Sequence, residues 1–129
     1  MTDKEDRARV ISDEIPIVII GEDEEINFLL LKAMLRNVNC RIIHAYNGAE
    51  VLENFKNNRG VSLVLMDIKM PVMDGITAAI KMRKISADVP IIAQTAYQIS
   101  KDHLSLFQGY LSKPIDKMDL LNLVSEYIK

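Results

Sequence analysis

The chain contains no tryptophan, a single cysteine and only 5% aromatic residues. One thiol cannot close an intramolecular disulfide, and Cys40 alone cannot frame a Cys/His zinc site. A disulfide-stapled secreted scaffold is excluded, and a reducing, cytoplasmic setting is expected. Long apolar runs are missing as well. Ile17-Val18-Ile19-Ile20 is typical of those present, far short of the roughly 20 residues a membrane helix needs. The charged start, Met1-Thr2-Asp3-Lys4-Glu5-Asp6-Arg7, offers no signal-peptide stretch. Neither sign of charge dominates: 16 Lys and Arg against 18 Asp and Glu leave −2. That balance makes a poor surface for nucleic acid or an anionic membrane, so neither is expected as a partner. No Gly-x-x-x-x-Gly-Lys or Gly-x-Gly-x-x-Gly run follows an apolar segment, which argues against a nucleotide or flavin loop.

What remains is globular in character: 129 residues, 49% hydrophobic and 26% charged, the size of one domain with one core. Residues 1–14 are rich in charges of both signs and read as a flexible leader or linker remnant, with the domain at 15–129. From Ile15 onward, two periodicities alternate. Ile17–Ile20, Arg41–Ala45, Leu63–Met66, Ile91–Ala93 and Gly109–Leu111 read as short strands, the longer of them buried on both faces. Between them lie helical spacings. Residues 26–38 place Ile26, Leu29, Leu30, Ala33 and Met34 on one expected face, and a second helix carries Val51, Leu52 and Phe55. A third carries Ile76, Ala79, Ile80 and Arg83, and a last one, capped by Asp116, carries Leu120, Leu123, Val124, Tyr127 and Ile128. Ser100–Phe107 holds only a weak pattern, interrupted by Lys101, Asp102 and His103. It is expected to be the least protected part of the fold; the competing expectation is that Leu104 and Phe107 dock it as a short helix. The predicted fold class is α/β, a flavodoxin-like doubly wound five-stranded parallel sheet of order 2-1-3-4-5 with a shortened fourth helix.

In such a sheet, chemistry gathers at the carboxyl ends of the strands. Here those ends carry Glu22-Asp23-Glu24-Glu25, then Asp67, then Thr95-Ala96, then Lys113-Pro114. Taken singly, each has an ordinary explanation as a helix cap, a turn residue or a solvated charge. Together, Glu22, Asp23, Asp67, Thr95 and Lys113 can converge on one edge. Carboxylates brought together need a cation, and oxygen ligands without Cys or His select Mg²⁺ or Mn²⁺. A lysine beside them suits an anionic ligand, most simply phosphate, with the Thr95 hydroxyl and the Ala96 N–H as donors.

The segment Leu65-Met66-Asp67-Ile68-Lys69-Met70-Pro71-Val72-Met73-Asp74-Gly75 resembles the phosphoacceptor strand and loop of response-regulator receiver domains. Ile19–Asn27 resembles the opening of receivers in hybrid sensor histidine kinases. Ile91–Ala96 and Tyr110–Ile115 extend the similarity, which runs from about Ile15 to Ile128. The resemblance implies a phosphorelay receiver in two-component signalling, with Asp67 as phosphoacceptor. The phosphoryl donor would be a phosphohistidine on a histidine kinase dimerisation domain or a histidine phosphotransfer protein. It implies metal ligation by Asp23 and Asp67, by Glu22 through water, and by the backbone carbonyl of Lys69. It implies phosphoryl binding by Thr95, Ala96 and Lys113, a switch role for Tyr110 that follows Thr95, and a cis Lys113–Pro114 bond. The domain would catalyse only its own phosphoryl transfer rather than act as a free-standing enzyme. The segment 22–27 favours excision from a hybrid kinase over a stand-alone regulator.

Departures from the family pattern shape further expectations. The interval from Thr95 to Tyr110 is short, leaving Gly109 alone before the fifth strand. Gly21 stands where an aliphatic residue is usual and is expected to loosen the acidic loop. Lys69 and Tyr97 flank the acceptor, where they can affect the approach of water or simply lie in solvent. The alternative function is a degenerate receiver that only binds partners. A phosphatase with an aspartyl-phosphate intermediate would need a second Asp two residues after Asp67, and Lys69 holds that place.

Overall fold

A computed structural model of the chain describes residues 15–128; the expected leader at 1–14 and the terminal Lys129 lie outside the described residues. The elements are β1 (Ile17–Gly21), α1 (Glu25–Met34), β2 (Arg41–Ala45), α2 (Gly48–Asn57), β3 (Val61–Asp67) and α3 (Gly75–Ile85). They continue with β4 (Ile91–Thr95), a 3-10 segment (Lys101–Leu106), β5 (Gly109–Ser112) and α4 (Lys117–Tyr127). The sheet has five strands in the order β2-β1-β3-β4-β5, all paired in parallel. The anticipated architecture is therefore the observed one.

Successive strand residues alternate between two apolar layers. Ile19, Val64, Met66, Ile91 and Ala93 pack with Val51 and Leu52 of α2 and Ala78, Ala79 and Met82 of α3. Val18, Ile20, Leu63, Leu65 and Ile92 pack with Phe28 and Leu31 of α1 and Leu120 and Val124 of α4. Side-chain caps fix where three helices begin. Asn47, Asp74 and Asp116 each accept from the backbone N–H three residues on, in bonds worth about 1 kcal/mol apiece.

Four expectations require correction. The first helix ends at Met34, four residues before the expected limit, and its buried face is a different one. Phe28, Leu31 and the following Leu35 enter the core, whereas Ile26, Leu29 and Leu30 are 75%, 53% and 53% exposed. This helix is apolar around most of its circumference, so periodicity alone does not select a face. In α3 the core contacts come from Ala78, Ala79 and Met82, while Ile80 points outward. Gly21 does not loosen the loop. It ends β1 fully paired, and a Cβ there would come within 2.8 Å of Val51 Cγ2, so the missing side chain permits close helix packing.

The interval after β4 is a 3-10 segment held at several points, with features of both competing expectations. Phe107 is buried in the α2–α3 layer, but Leu104 is 40% exposed. Arg83 on α3 donates to the Leu106 carbonyl from Nε at 3.0 Å and Nη2 at 2.8 Å, and its Nη1 reaches the Val89 carbonyl at 2.7 Å. Burial lowers the Arg83 pKa from its ordinary value, with Asp88 acting in the opposite direction.

Candidate functional site

The sheet register brings the strand ends level. Backbone bonds beyond the strands hold the loops in place: Glu22 N–H to the Ala45 carbonyl, Ile68 N–H to Gln94, and Lys113 N–H to Thr95. The turn after β3 then folds back tightly. Gly75 N–H donates to the Ile68 carbonyl at 2.9 Å, and a Cβ on Gly75 would collide with the Asp67 carbonyl. Only glycine permits this approach of the loop to the end of β3.

At this edge Glu22, Asp23 and Asp67 each present a carboxylate oxygen, all within 4.8 Å of one another. Lys113 Nζ donates to Asp67 Oδ2 at 2.7 Å and lies 3.7 Å from Glu22 Oε1. The second Asp67 oxygen accepts from the Lys69 backbone N–H at 3.1 Å. The Lys113–Pro114 bond is cis. Glu22 is 1% exposed; its Oε2 accepts from the Glu24 N–H, and its Oε1 has no hydrogen-bond partner among the described residues.

Burial pushes the Glu22 carboxyl above its ordinary value; the Glu24 bond opposes this, and the Asp67 charge adds to it. For Lys113, burial acts downward, but the hydrogen bond and charge of Asp67 outweigh it and leave the ammonium above its ordinary value. Three clustered carboxylates, one with a buried unpaired oxygen, form a hard oxygen donor set that fits a divalent cation such as Mg²⁺.

A cleft of ≈ 190 Å³ opens over this group, lined by Asp23, Asp67, Lys69, Thr95, Ala96 and Lys113, with Glu24 and Tyr97. Two residues expected at the site are turned to other partners. The Thr95 hydroxyl donates to the Tyr97 carbonyl at 2.8 Å and accepts from the Tyr97 N–H at 2.9 Å, closing a small turn of its own. Tyr110 stands outside the cleft, 41% exposed, with its hydroxyl donating to the Leu104 carbonyl at 2.6 Å. Lys69 and Tyr97 are not independently solvated. The ammonium lies 4.4 Å from the ring centroid, a cation–π pair at the cleft mouth.

Sequence reasoning passed over His44 and Gln94. His44 stacks on Phe28 with centroids 3.7 Å apart, touches the Tyr46 ring on its other side, and bonds through Nε2 to the Glu22 carbonyl at 2.8 Å. Gln94 is fully buried, and neither amide atom has a partner among the described residues. The available signal was strand parity: Gln94 shares the inward face of Ile92, where an amide is out of place.

Among the described residues no helix is long and apolar enough to cross a membrane. The family described as response regulator receiver domain matches residues 18–125. Among curated proteins, the autoinducer 1 sensor kinase/phosphatase LuxN of Vibrio campbellii is 30% identical over 112 residues. That alignment takes in 87% of this chain but 13% of LuxN, so the chain spans a small part of that relative. Among solved structures, the response regulator TrrA of Thermotoga maritima, in complex with Mg²⁺ and BeF, is 31% identical with a TM-score of 0.77. It covers 88% of this chain and 99% of its own. A chain from the complex of the Saccharomyces cerevisiae histidine phosphotransfer protein Ypd1 with the receiver domain of Ssk1 is 30% identical, TM-score 0.76, covering 88% of each. The family match begins one residue into the first strand and ends inside the last helix, so it takes in the sheet but for Ile17, together with its acidic edge: the chain belongs to the response regulator receiver domain family.

Proposed function

We propose that residues 15–129 act as a cytoplasmic phosphorelay receiver, within a hybrid histidine kinase, in which Asp67 takes a phosphoryl group from a phosphohistidine. The observation that carries this reading is the Lys113 ammonium at 2.7 Å from Asp67 inside a cluster of three carboxylates. An Asp67 oxygen forms a bond to phosphorus as the phosphorus–nitrogen bond to the donor imidazole breaks; the electron pair stays on that nitrogen. The transition state is loose and spreads charge over three equatorial oxygens, so positioned donors and cations do most of the work. Glu22, Asp23 and Asp67, with the Lys69 carbonyl, would hold Mg²⁺. A bound divalent ion supplies charge neutralisation for the phosphoryl oxygens.

Lys113 exchanges its Asp67 contact for a phosphoryl oxygen, and the Ala96 N–H takes another. Thr95 reaches the phosphoryl group only by giving up its turn with Tyr97, and Tyr110 follows by leaving the Leu104 carbonyl. That exchange is the switch. Ile26, Leu29 and Leu30, exposed on α1 beside the acidic loop, form an apolar face on which the donor protein can dock. The complex of Ypd1 with the Ssk1 receiver domain supports a partner of this kind.

Intact-mass measurement after incubation with acetyl phosphate tests the reading. One added phosphoryl group with Mg²⁺ and none with EDTA is expected. No mass gain in either condition would leave only a binding module.

A further inference from the structure

Glu22 is tied to the edge strand β2 through both of its backbone polar groups. Its N–H donates to the Ala45 carbonyl at 2.9 Å, and its own carbonyl lies 2.8 Å from His44 Nε2. A carbonyl only accepts, so Nε2 carries the proton of this bond. The backbone of β2 does not supply it. The strand ends at Ala45, the Tyr46 N–H is taken by Glu50 Oε1 at 2.9 Å, and Asn47 begins α2 as its cap. An imidazole therefore continues the ladder where the strand stops.

That ring is held on both faces. Phe28 of α1 stacks on it with centroids 3.7 Å apart and planes 4° from parallel, and Tyr46 covers the other face at 3.9 Å. Tyr46 is fastened in turn, its hydroxyl donating to Glu25 Oε1 at 3.2 Å. One imidazole edge is thus fixed against a single peptide, the one joining Glu22 to Asp23. A peptide is planar, so holding its oxygen sets the direction in which the chain enters Asp23. Both residues joined by that peptide give carboxylates to the cluster with Asp67, whose oxygens lie within 4.8 Å of one another.

We propose, on the reading of Glu22, Asp23 and Asp67 as a divalent-cation site, that His44 is a positioning residue for it. The Nε2–H bond to the Glu22 carbonyl sets the peptide that carries Asp23, and cation affinity depends on that bond. The bond reaches the site through the backbone of Glu22 and not through a carboxylate. Groups that orient the ligands of a metal commonly contribute roughly 10–100-fold in affinity.

Two substitutions separate the hydrogen bond from the stack. His44→Phe keeps an aromatic ring between Phe28 and Tyr46 and removes the donor. His44→Gln removes the ring and keeps an N–H donor. Mg²⁺ is titrated into the wild type and both variants, with binding read from the backbone amide shifts of residues 22–25 and 67. Unfolding in urea without Mg²⁺ is read alongside. His44→Phe is expected to bind Mg²⁺ about tenfold more weakly than the wild type, and His44→Gln to recover most of that loss. The unfolding midpoints should rank the other way, since the stack favours Phe. A role in packing alone would make affinity follow stability, with His44→Phe the better binder of the two. That ranking would overturn the proposal, as would a His44→Phe affinity equal to the wild type. If the wild type itself shows no Mg²⁺-dependent shifts, the cation site falls and the role of His44 with it.

Discussion

Val72 occupies the left-handed region, with φ of 69°, and is 87% exposed. A β-branched residue there carries a steric cost of about 1–2 kcal/mol that no burial offsets. Asparagine tolerates the same backbone, so Val72→Asn is expected to raise unfolding free energy by about 1 kcal/mol in urea. An unchanged or lower midpoint would show that the loop relaxes around valine. At this scale the acidic and basic residues of the edge were legible, because Asp67 and Lys113 sit where strands end. Their partners were less so. The Thr95 turn with Tyr97 and the Tyr110 bond to Leu104 depend on side-chain rotamers, which spacing does not encode. His44 was hidden because a half-buried histidine on an edge strand has no motif around it, and its role emerges only when Phe28 and Tyr46 close on its ring.

Elements were legible where one period dominates. The strands were identified because short β-branched runs read the same in any register, and α4 because Asp116 and its stripe agree. The first helix was misread for a physical reason: Ile26, Leu29 and Leu30 are as apolar as Phe28, Leu31 and Leu35, and the sheet decides between them. The segment after β4 was the hardest to read, since its anchors are distant in sequence. Arg83 bonds from α3 to Leu106 and Val89 carbonyls and to the Gln108 side chain. Hydrogen bonds to a charged donor are worth roughly 1.5–3 kcal/mol, so Arg83→Ala should cost about that much stability. Lysine has no planar fork, so Arg83→Lys should recover little. Amide exchange in residues 101–106 should be faster than in β3 in the wild type and faster still in Arg83→Ala. Exchange in that segment as slow as in β3, or insensitive to the substitution, would remove Arg83 from this role.

For the whole molecule, the sheet converges its functional groups by packing: two apolar layers fix the strand register, and the register sets the carboxylates side by side. Their mutual repulsion is the cost of that arrangement, and a cation relieves it. A ligand that binds only the folded chain stabilises it by an amount that grows with the logarithm of its concentration relative to its dissociation constant. Millimolar Mg²⁺ should therefore raise the melting temperature by several degrees, and Asp23→Ala should abolish most of the rise. A wild-type melting curve indifferent to Mg²⁺ would contradict a preformed site. The central claim is narrower still: one carboxylate, at the end of β3, carries the phosphoryl group. Borohydride reduces an aspartyl phosphate to homoserine, which marks the acceptor in a peptide map. After phosphorylation with acetyl phosphate and Mg²⁺, the account predicts homoserine at position 67 and nowhere else. Homoserine at position 23 or another aspartate, with Asp67 intact, would contradict it.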